Sequence, residues 1–271
     1  MISLPLVRRT IRDYFLLWVA AAILLATFLV LFNFALDSVP RDQTEQWFKL
    51  PWVRSLISAL VGADVAEFTK PGGLLSLGFS HPLVWVLLVA FSLTLASGAL
   101  AGEVDRGTAD VLATLPVSRA TIYASVSVAL VGMSAALCWF VWLGAKIGLR
   151  LTGFQGVPLD LFAIVTCNLS AAVVFVCCLG LAISAASDRR GMAVAAAFFL
   201  VFYSFVVNFL CSLWPALRPI DFTGFLHYYA PLVIIRDAAW PWKDMAALLA
   251  IAAVFWFAGL AIFVRRDIPA R

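Results

Sequence analysis

Long uninterrupted runs of apolar residues dominate the pattern of hydrophobic and polar positions along the chain. Six runs of 19 to 27 residues contain no Asp, Glu, Lys or Arg. These runs cover residues 14–36, 83–101, 121–145, 161–187, 191–217 and 245–264. A helix needs roughly 20 apolar residues to cross a bilayer core about 30 Å thick. The pattern therefore predicts six transmembrane helices.

Only Asp188, Arg189 and Arg190 separate the fourth run from the fifth. One continuous helix over both runs would measure about 85 Å at 1.5 Å per residue, far more than a bilayer requires. Barrel strands alternate polar and apolar residues in segments of about ten, and these runs do not alternate. We therefore predict a tight turn at 188–190 and an all-α polytopic membrane protein that forms a single transmembrane domain over residues 1–271.

Composition agrees with a lipid environment. Hydrophobic residues make up 64% of the chain and charged residues 13%, against roughly 45–50% and about 25% in soluble domains. So much apolar surface excludes a soluble enzyme. It also excludes a disordered chain, which needs low hydrophobicity and high charge.

The distribution of Lys and Arg predicts the orientation. If both termini face the cytoplasm, the inner segments are 1–13, 102–120, 188–190 and 265–271, and they carry ten basic and six acidic residues. The longer outer segments carry nine of each, so the whole net charge of +4 lies inside. Cytoplasmic loops are enriched in Lys and Arg. We therefore predict a multi-pass protein of the cell's inner (plasma) membrane with both termini in the cytoplasm.

The predicted outer loop 37–82 is too long for a simple connector. Trp52, Leu56 and Leu60 recur at four-residue spacing, which indicates an amphipathic helix. A second short apolar piece covers residues 74–79. Such segments can lie in the membrane interface or pack against the outer ends of the spans. The loop is also a candidate site for an extracytoplasmic partner.

The last outer stretch, 212–244, is rich in proline and aromatic residues. Aromatic rings at headgroup depth anchor transmembrane helices. We interpret the stretch as an interfacial anchor, with a role in substrate gating as the alternative.

The inner segment 102–120 is the most informative one. Val104, Thr108, Val111 and Leu115 follow one another at spacings of four, three and four residues, which form one stripe of a helix. Charged residues occupy the remaining faces. The pattern predicts an amphipathic helix of about three turns along the cytoplasmic face, between the second and third spans. The alternative, a solvated connector, would need no apolar stripe.

Motifs for chemistry are missing. No G-x-x-x-x-G-K-[ST] loop occurs, so the chain has no phosphate cradle for ATP, and we expect no catalytic, cofactor or metal site. Asn33, Asn168 and Asn208 are scattered polar residues within the spans. Buried Asn usually bonds helix to helix, and a translocation path is the alternative role for these three. Because ion-coupled carriers commonly use charged residues at membrane depth, transport here would take its energy from another subunit.

The inner segment resembles the first cytoplasmic loop of the type-2 permeases of ABC transporters, which are mostly exporters. The shared pattern is a Glu, then Gly-Thr, a leucine-rich turn and Pro-hydrophobic-Ser-Arg. The matching residues are Glu103, Gly107, Thr108, Val111, Leu112, Leu115, Pro116, Val117, Ser118 and Arg119. Six spans, a long first outer loop and the sequence that ends the last span agree with the family as well. Residues 120–145 lack the lysine that family members often have.

The resemblance implies the permease subunit of an ATP-driven exporter. Such permeases pair as homodimers, and each binds a separate ATPase subunit that holds ATP and Mg. The helix in the inner segment would be the coupling helix, filling a groove on the ATPase, and Glu103 and Arg106 would fix its orientation. The coupling residues implied are Glu103, Val104, Arg106, Gly107, Thr108, Val111, Leu112 and Leu115.

A membrane anchor or assembly factor is the alternative function. It would dock a cytoplasmic ATPase and an extracytoplasmic partner without moving a solute. In either case the chain is not an enzyme by itself and binds no nucleic acid.

Overall fold

Long helices in the predicted order form the molecule. The computed structural model describes residues 2–38, 50–53, 71–107, 117–153 and 156–266, and these residues contain helices and no strand. The α-helices are α1 (Leu4–Ser38), α2 (Pro71–Ser80), α3 (Pro82–Ala99), α4 (Ala101–Asp105), α5 (Arg119–Thr152), α6 (Leu159–Ala186), α7 (Arg190–Leu213), α8 (Pro231–Asp237) and α9 (Trp242–Arg265). Two 3₁₀ segments, Pro215–Thr223 and Phe225–Tyr228, lie between α7 and α8.

Six spans are long and apolar enough to cross a membrane. They are α1, α5, α6, α7, α9 and the pair α2–α3, which together form one span. The prediction of an all-α polytopic membrane protein is therefore confirmed. The tight turn is confirmed as well, because α6 ends at Ala186 and α7 begins at Arg190.

Helix α6 is the centre of the bundle. Of the residues in its most apolar 18-residue segment, 78% are buried, whereas only 22% are buried in the corresponding segments of α1 and α9. It contacts α3, α5, α7 and α9. Four of the other spans thus pack against α6, and α1 packs mainly against α5. The outer spans leave broad apolar faces that suit contact with lipid.

Helices α1 and α5 cross at very close range. A Cβ atom on Gly144 would collide with the backbone of Ala26, and a Cβ atom on Gly148 would lie 2.8 Å from Cβ of Asn33. Glycines four residues apart allow helix backbones to approach closely in membranes. The spacing of Gly144 and Gly148 therefore determines how these two spans pack.

Two helices are longer than the charge-free runs that predict them. Helix α1 begins at Leu4 rather than near residue 14, and α5 continues to Thr152 beyond Lys146. The ammonium of Lys146 lies 4.7 Å from the ring centroid of Trp142. Long charged side chains reach the headgroup region while the helix continues. A charge-free run therefore measures the hydrocarbon-spanning part of a helix and not its whole length.

The second span is broken at His81, which has extended backbone angles (φ −63°, ψ 135°). Pro82 disfavours a helical conformation at the residue before it, and the His81 side chain accepts a hydrogen bond of 3.2 Å from the backbone N–H of Leu83. The second apolar piece of the predicted outer loop lies in α2, where Leu75 and Phe79 are fully buried. Packing against the spans, one of the two compatible locations predicted for this piece, is therefore observed.

The fifth span ends at Leu213, four residues before the end of its apolar run. Trp214 leaves the helical region (φ −119°, ψ 104°) because Pro215 follows it. The charge-free criterion overlooks this proline, since proline is uncharged.

Only part of the stretch between α7 and α9 has the exposed rings expected of an interfacial anchor. The prediction that the whole stretch is an anchor was therefore wrong for its buried rings. Phe225 and Tyr229 are buried, with ring centroids 5.6 and 5.1 Å from that of Trp85 in α3. Its prolines prevent one long regular helix, and the chain instead folds back into the bundle. Trp240 and Trp242 stay exposed and stack on each other at 4.8 Å, as expected for anchors.

Candidate coupling site at the basic end of the bundle

Six helix ends meet at one end of the bundle, which we name the basic end. They are the starts of α1, α5 and α7 and the ends of α3–α4, α6 and α9. The described charged residues there are nine arginines and four carboxylates: Arg8, Arg9, Arg12, Arg106, Arg119, Arg189, Arg190, Arg265, Arg266, Asp13, Glu103, Asp105 and Asp188. This end therefore has a surplus of positive charge.

At the opposite end the described charges balance. Five basic residues stand against five acidic ones: Lys146, Arg150, Arg218, Arg236, Lys243, Asp37, Asp160, Asp221, Asp237 and Asp244. Several of them pair locally. Asp221 lies 2.7 Å from His227, and Arg236 donates a 2.7 Å hydrogen bond to the neighbouring Asp237, which lowers the pKa of that carboxyl group.

The α3–α4 junction, residues 98–102, is the central feature of the basic end. Leu100 interrupts the helix (φ −121°, ψ −69°), and α4 begins at Ala101. The backbone N–H of Ala101 donates a 3.0 Å hydrogen bond to Oγ of Ser184 in α6. Leu100 and Ala101 are both buried. The start of the inner segment is therefore fixed to the central helix.

Helices α1 and α7 also approach the junction. A Cβ atom on Gly98 would lie 2.5 Å from the Tyr14 hydroxyl of α1 and 3.7 Å from Nη2 of Arg190, the first residue of α7. A Cβ atom on Gly102 would lie 3.6 Å from Cδ of Arg190. The two glycines give Tyr14 and Arg190 room to approach, so the α3–α4 junction contacts three other spans.

The first coupling residues implied by the resemblance lie just beyond the junction. Glu103 and Arg106 form an ion pair of 2.7 Å, with the Arg106 side chain 54% exposed. Val104 is half-buried. Gly107 has a left-handed backbone (φ +70°) and follows the end of α4, a common position for glycine after a helix.

Gly107 changes the predicted coupling helix. Helix α4 ends at Asp105, so the helix of about three turns predicted within segment 102–120 is interrupted here. Val104 consequently belongs to α4, and its stripe does not continue through Gly107 in one helix. Thr108, Val111, Leu112 and Leu115 lie outside the described residues, and their coupling role stays a prediction.

A second contact at the basic end, which we name the Arg266 clasp, joins three helices. The Arg266 guanidinium donates hydrogen bonds to the carbonyls of Ala185 and Ser187, at 2.9 and 3.1 Å, and pairs with Asp188. Arg119, at the start of α5, donates to the Arg266 carbonyl. The sequence indicated Arg266 only as part of the family-like ending of the last span and gave no signal for these partners.

A cavity of about 500 Å³ lies beside the α3–α4 junction, between α1, the α3–α4 pair and α5. Side chains of both charges line it, among them Arg9, Asp13, Glu103 and Arg106. Arg9 and Asp13 are 3.5 Å apart. The cavity leaves space next to α4 on the side of α1, so α4 is not enclosed on all sides.

The three asparagines do not come together. Asn33 is buried and its amide donates to the Leu29 carbonyl at 2.7 Å, within α1. Asn168 is buried in α6 and donates to the Tyr228 carbonyl at 3.2 Å. Asn208 is half-buried in α7. The described hydrogen bonds join no two of these asparagines, and the contact of Asn168 is the tie across elements that buried Asn commonly makes.

Within the described ranges, no group of three His, Cys, Asp or Glu side chains is placed to hold a metal ion. The basic end presents charged, exposed groups on α4 beside a junction that several spans share.

Comparison with known protein families identifies this chain's relatives. The family described as ABC-2 family transporter protein matches residues 7–268 of the 271-residue chain. The match includes the six spans, the α3–α4 junction and the whole inner segment. No curated protein matches the chain significantly.

Proposed function

The chain belongs to the ABC-2 transporter family, and from this premise we propose that it is the permease subunit of an ATP-driven exporter. A separate ATPase subunit would bind at the basic end and contact α4 and the residues after it. The observation that carries the proposal is the α3–α4 junction, because it connects the exposed start of the inner segment to α1, α6 and α7. ABC-2 family permeases work with ATPase subunits.

The orientation follows from charge. The basic end has nine arginines and four carboxylates, and the described charges of the opposite end cancel. Positive charge near the ends of spans favours the cytoplasmic side. In the proposed topology the basic end and both termini face the cytoplasm of the cell's inner membrane, where an ATPase has access to ATP and Mg.

The proposed coupling uses direct contacts between the α3–α4 junction and the spans. A force on α4 acts first on Ala101, whose backbone N–H is bonded to Ser184 of the central helix. Tyr14 and Arg190 lie against Gly98, so displacement of the junction also acts on α1 and α7. Closure of the ATPase pair on ATP would in this way reorient three spans together.

We further propose a homodimer of this chain with the solute passing between the two copies. Helices α7 and α9 support this arrangement, because 72% and 78% of their most apolar segments remain unburied in the single chain. The absence of charged residues from the six apolar runs supports an energy source on another subunit.

Purification tests the proposal. The full chain, isolated from its native membrane in mild detergent, should bring an ABC-type ATPase with it and should hydrolyse no ATP when separated from that partner. Vesicles containing both chains, loaded with cell extract and analysed by mass spectrometry, should show ATP-dependent movement of a solute. ATPase recovery without solute movement would favour the anchor or assembly factor, and recovery of no ATPase would contradict the proposed partner.

A double substitution tests the coupling residues. We expect Val111→Asp with Leu112→Asp to detach the ATPase while the spans remain inserted, because buried carboxylates without partners cost several kcal/mol. The matched control is Ile220→Asp with Phe222→Asp, two exposed apolar residues at the opposite end of the bundle. Equal ATPase binding by both double variants would show that residues 111 and 112 do not contact the partner.

A further inference from the structure

Three arginines within two helical turns mark the start of α1. Arg8, Arg9 and Arg12 are exposed, and together with Leu4 and Pro5 they line a surface pocket of about 420 Å³. Arg9 faces Asp13 at 3.5 Å. Within the part of the chain that the structure describes, Arg8 and Arg12 have no carboxylate partner.

This segment is held to the bundle. The backbone N–H of Ser3 donates a 2.8 Å hydrogen bond to Oγ of Ser125 in α5. Thr10, on the opposite side from Arg8 and Arg12, is buried, and its hydroxyl donates to the Leu6 carbonyl at 3.0 Å. The arginines thus project from a fixed helical turn, so a ligand would find them already positioned.

Along one face of α1, the exposed residues change from basic to apolar. Arg8 and Arg12 are four residues apart and lie on the same helix face. Four residues further, Leu16 is 82% exposed, and Ile23, two helical turns beyond Leu16 on the same face, is 60% exposed. Two cations are therefore followed by an apolar strip that extends into the membrane span.

We propose that this face of α1 binds an anionic phospholipid. Its phosphate lies between Arg8 and Arg12, and one acyl chain runs along Leu16 and Ile23. Guanidinium groups form charge-assisted, often paired hydrogen bonds with phosphate. Basic side chains near a membrane attract anionic headgroups, each contributing about 1 kcal/mol.

A lipid fits this face better than a free anion. A soluble phosphate would use the arginines and leave Leu16 and Ile23 without a role, whereas a phospholipid matches the charged and the apolar part in the same order. The site is independent of the ATPase, since it requires only that α1 spans a membrane.

Native mass spectrometry of the full chain tests the site. Binding of phosphatidylglycerol is compared with binding of phosphatidylcholine carrying the same acyl chains. We expect Arg8→Gln with Arg12→Gln to weaken phosphatidylglycerol binding about 30-fold, two contributions of about 1 kcal/mol each, and to leave phosphatidylcholine unchanged. The control, Arg189→Gln with Arg265→Gln, removes two exposed arginines from the same end and should weaken binding less than threefold.

Further variants separate the contribution of arginine geometry from that of charge, and the apolar contact from the phosphate contact. Arg8→Lys with Arg12→Lys retains the positive charge that orients α1 but loses the planar guanidinium groups, which can each form two hydrogen bonds with a phosphate. This variant should bind phosphatidylglycerol with intermediate affinity. Leu16→Gln should weaken lipid binding and leave any binding of inorganic phosphate unaffected. Equal losses in the two Gln pairs, equal binding of both lipids, or displacement of the lipid by inorganic phosphate at matched concentration would each overturn the proposal. So would a cross-link showing Leu16 against a second copy of the chain.

Discussion

The two ends of the bundle differ in the contacts that predominate, although each end has both polar ties and ring contacts. At the basic end the ties are polar and directional, such as the Ala101–Ser184 hydrogen bond and the bonds from Arg266 to the Ala185 carbonyl. At the opposite end, aromatic rings from separate elements pack around Trp85, with centroid distances of 5.1 to 6.0 Å.

This difference bears on which end can move. A hydrogen bond to a carbonyl can be exchanged for another after a small shift, whereas a close-packed ring cluster loses its contacts as soon as it opens. Conformational switching in proteins usually repacks such discrete polar contacts. We therefore expect motion at the basic end and a fixed pivot at the aromatic end, and the following variants test that expectation.

Trp85→Ala should have the largest effect. Trp85 is 2% exposed, and truncation of a buried tryptophan costs about 3–5 kcal/mol. We expect a much lower thermal unfolding temperature in detergent, while Trp242→Ala, at an exposed ring on the same end, should change it little. Similar unfolding temperatures for the two variants would show that the ring cluster does not stabilise the bundle.

Arg266→Ala should have the next largest effect. It removes bonds to two carbonyls and the pair with Asp188, and hydrogen bonds to charged groups contribute about 1.5–3 kcal/mol. We expect a moderate loss of stability and a reduced ATP hydrolysis rate in the complex. Arg265→Ala, an exposed neighbour, serves as the control, and an equal loss there would show that the clasp has no special role.

Gly98→Ala should act mainly on the α3–α4 junction. The new methyl group would lie 2.5 Å from the Tyr14 hydroxyl, and overpacking costs about 1–3 kcal/mol. Removing the hydroxyl with Tyr14→Phe should relieve this cost, so a double-mutant cycle measured by thermal unfolding should show a coupling energy of at least 0.5 kcal/mol, in the range for residues in contact. Additive effects would indicate that α1 does not press on the junction.

Asn168→Leu should have the smallest effect. It deletes the hydrogen bond to the Tyr228 carbonyl, and such bonds within membrane proteins average about 0.6 kcal/mol. The unfolding temperature should fall slightly, far less than for Trp85→Ala. A loss as large as that of Trp85→Ala would mean that the aromatic end also depends on polar ties and would remove the contrast between the ends.

The spans could be predicted from the sequence because bilayer thickness sets the length of an apolar run. Their ends were less predictable. Helix α1 starts at Leu4, before Arg8, Arg9 and Arg12, and α7 stops before a proline that carries no charge. Phe225 and Tyr229 were predicted as anchors because aromatic composition alone does not distinguish a ring at the interface from a ring in the core.

The candidate site was predictable only in part. Glu103 and Arg106 were identified from the resemblance, and the structure places them in one ion pair. Ser184 was missed because its partner, Ala101, is 83 residues away in sequence and no local spacing indicates such a contact. The left-handed conformation at Gly107 was missed as well, although a glycine within a predicted helix is a signal for an interruption.

Labelling of introduced cysteines tests the central claim, that the basic end faces the cytoplasm and its partner ATPase. Asp105→Cys introduces an exposed thiol at the basic end and Phe222→Cys one at the opposite end, with the parent chain as the background for its five native cysteines. A membrane-impermeant maleimide should label Asp105→Cys only in inverted vesicles, and less when the ATPase is bound, and should label Phe222→Cys in intact cells. Labelling of Asp105→Cys from outside intact cells would contradict the account.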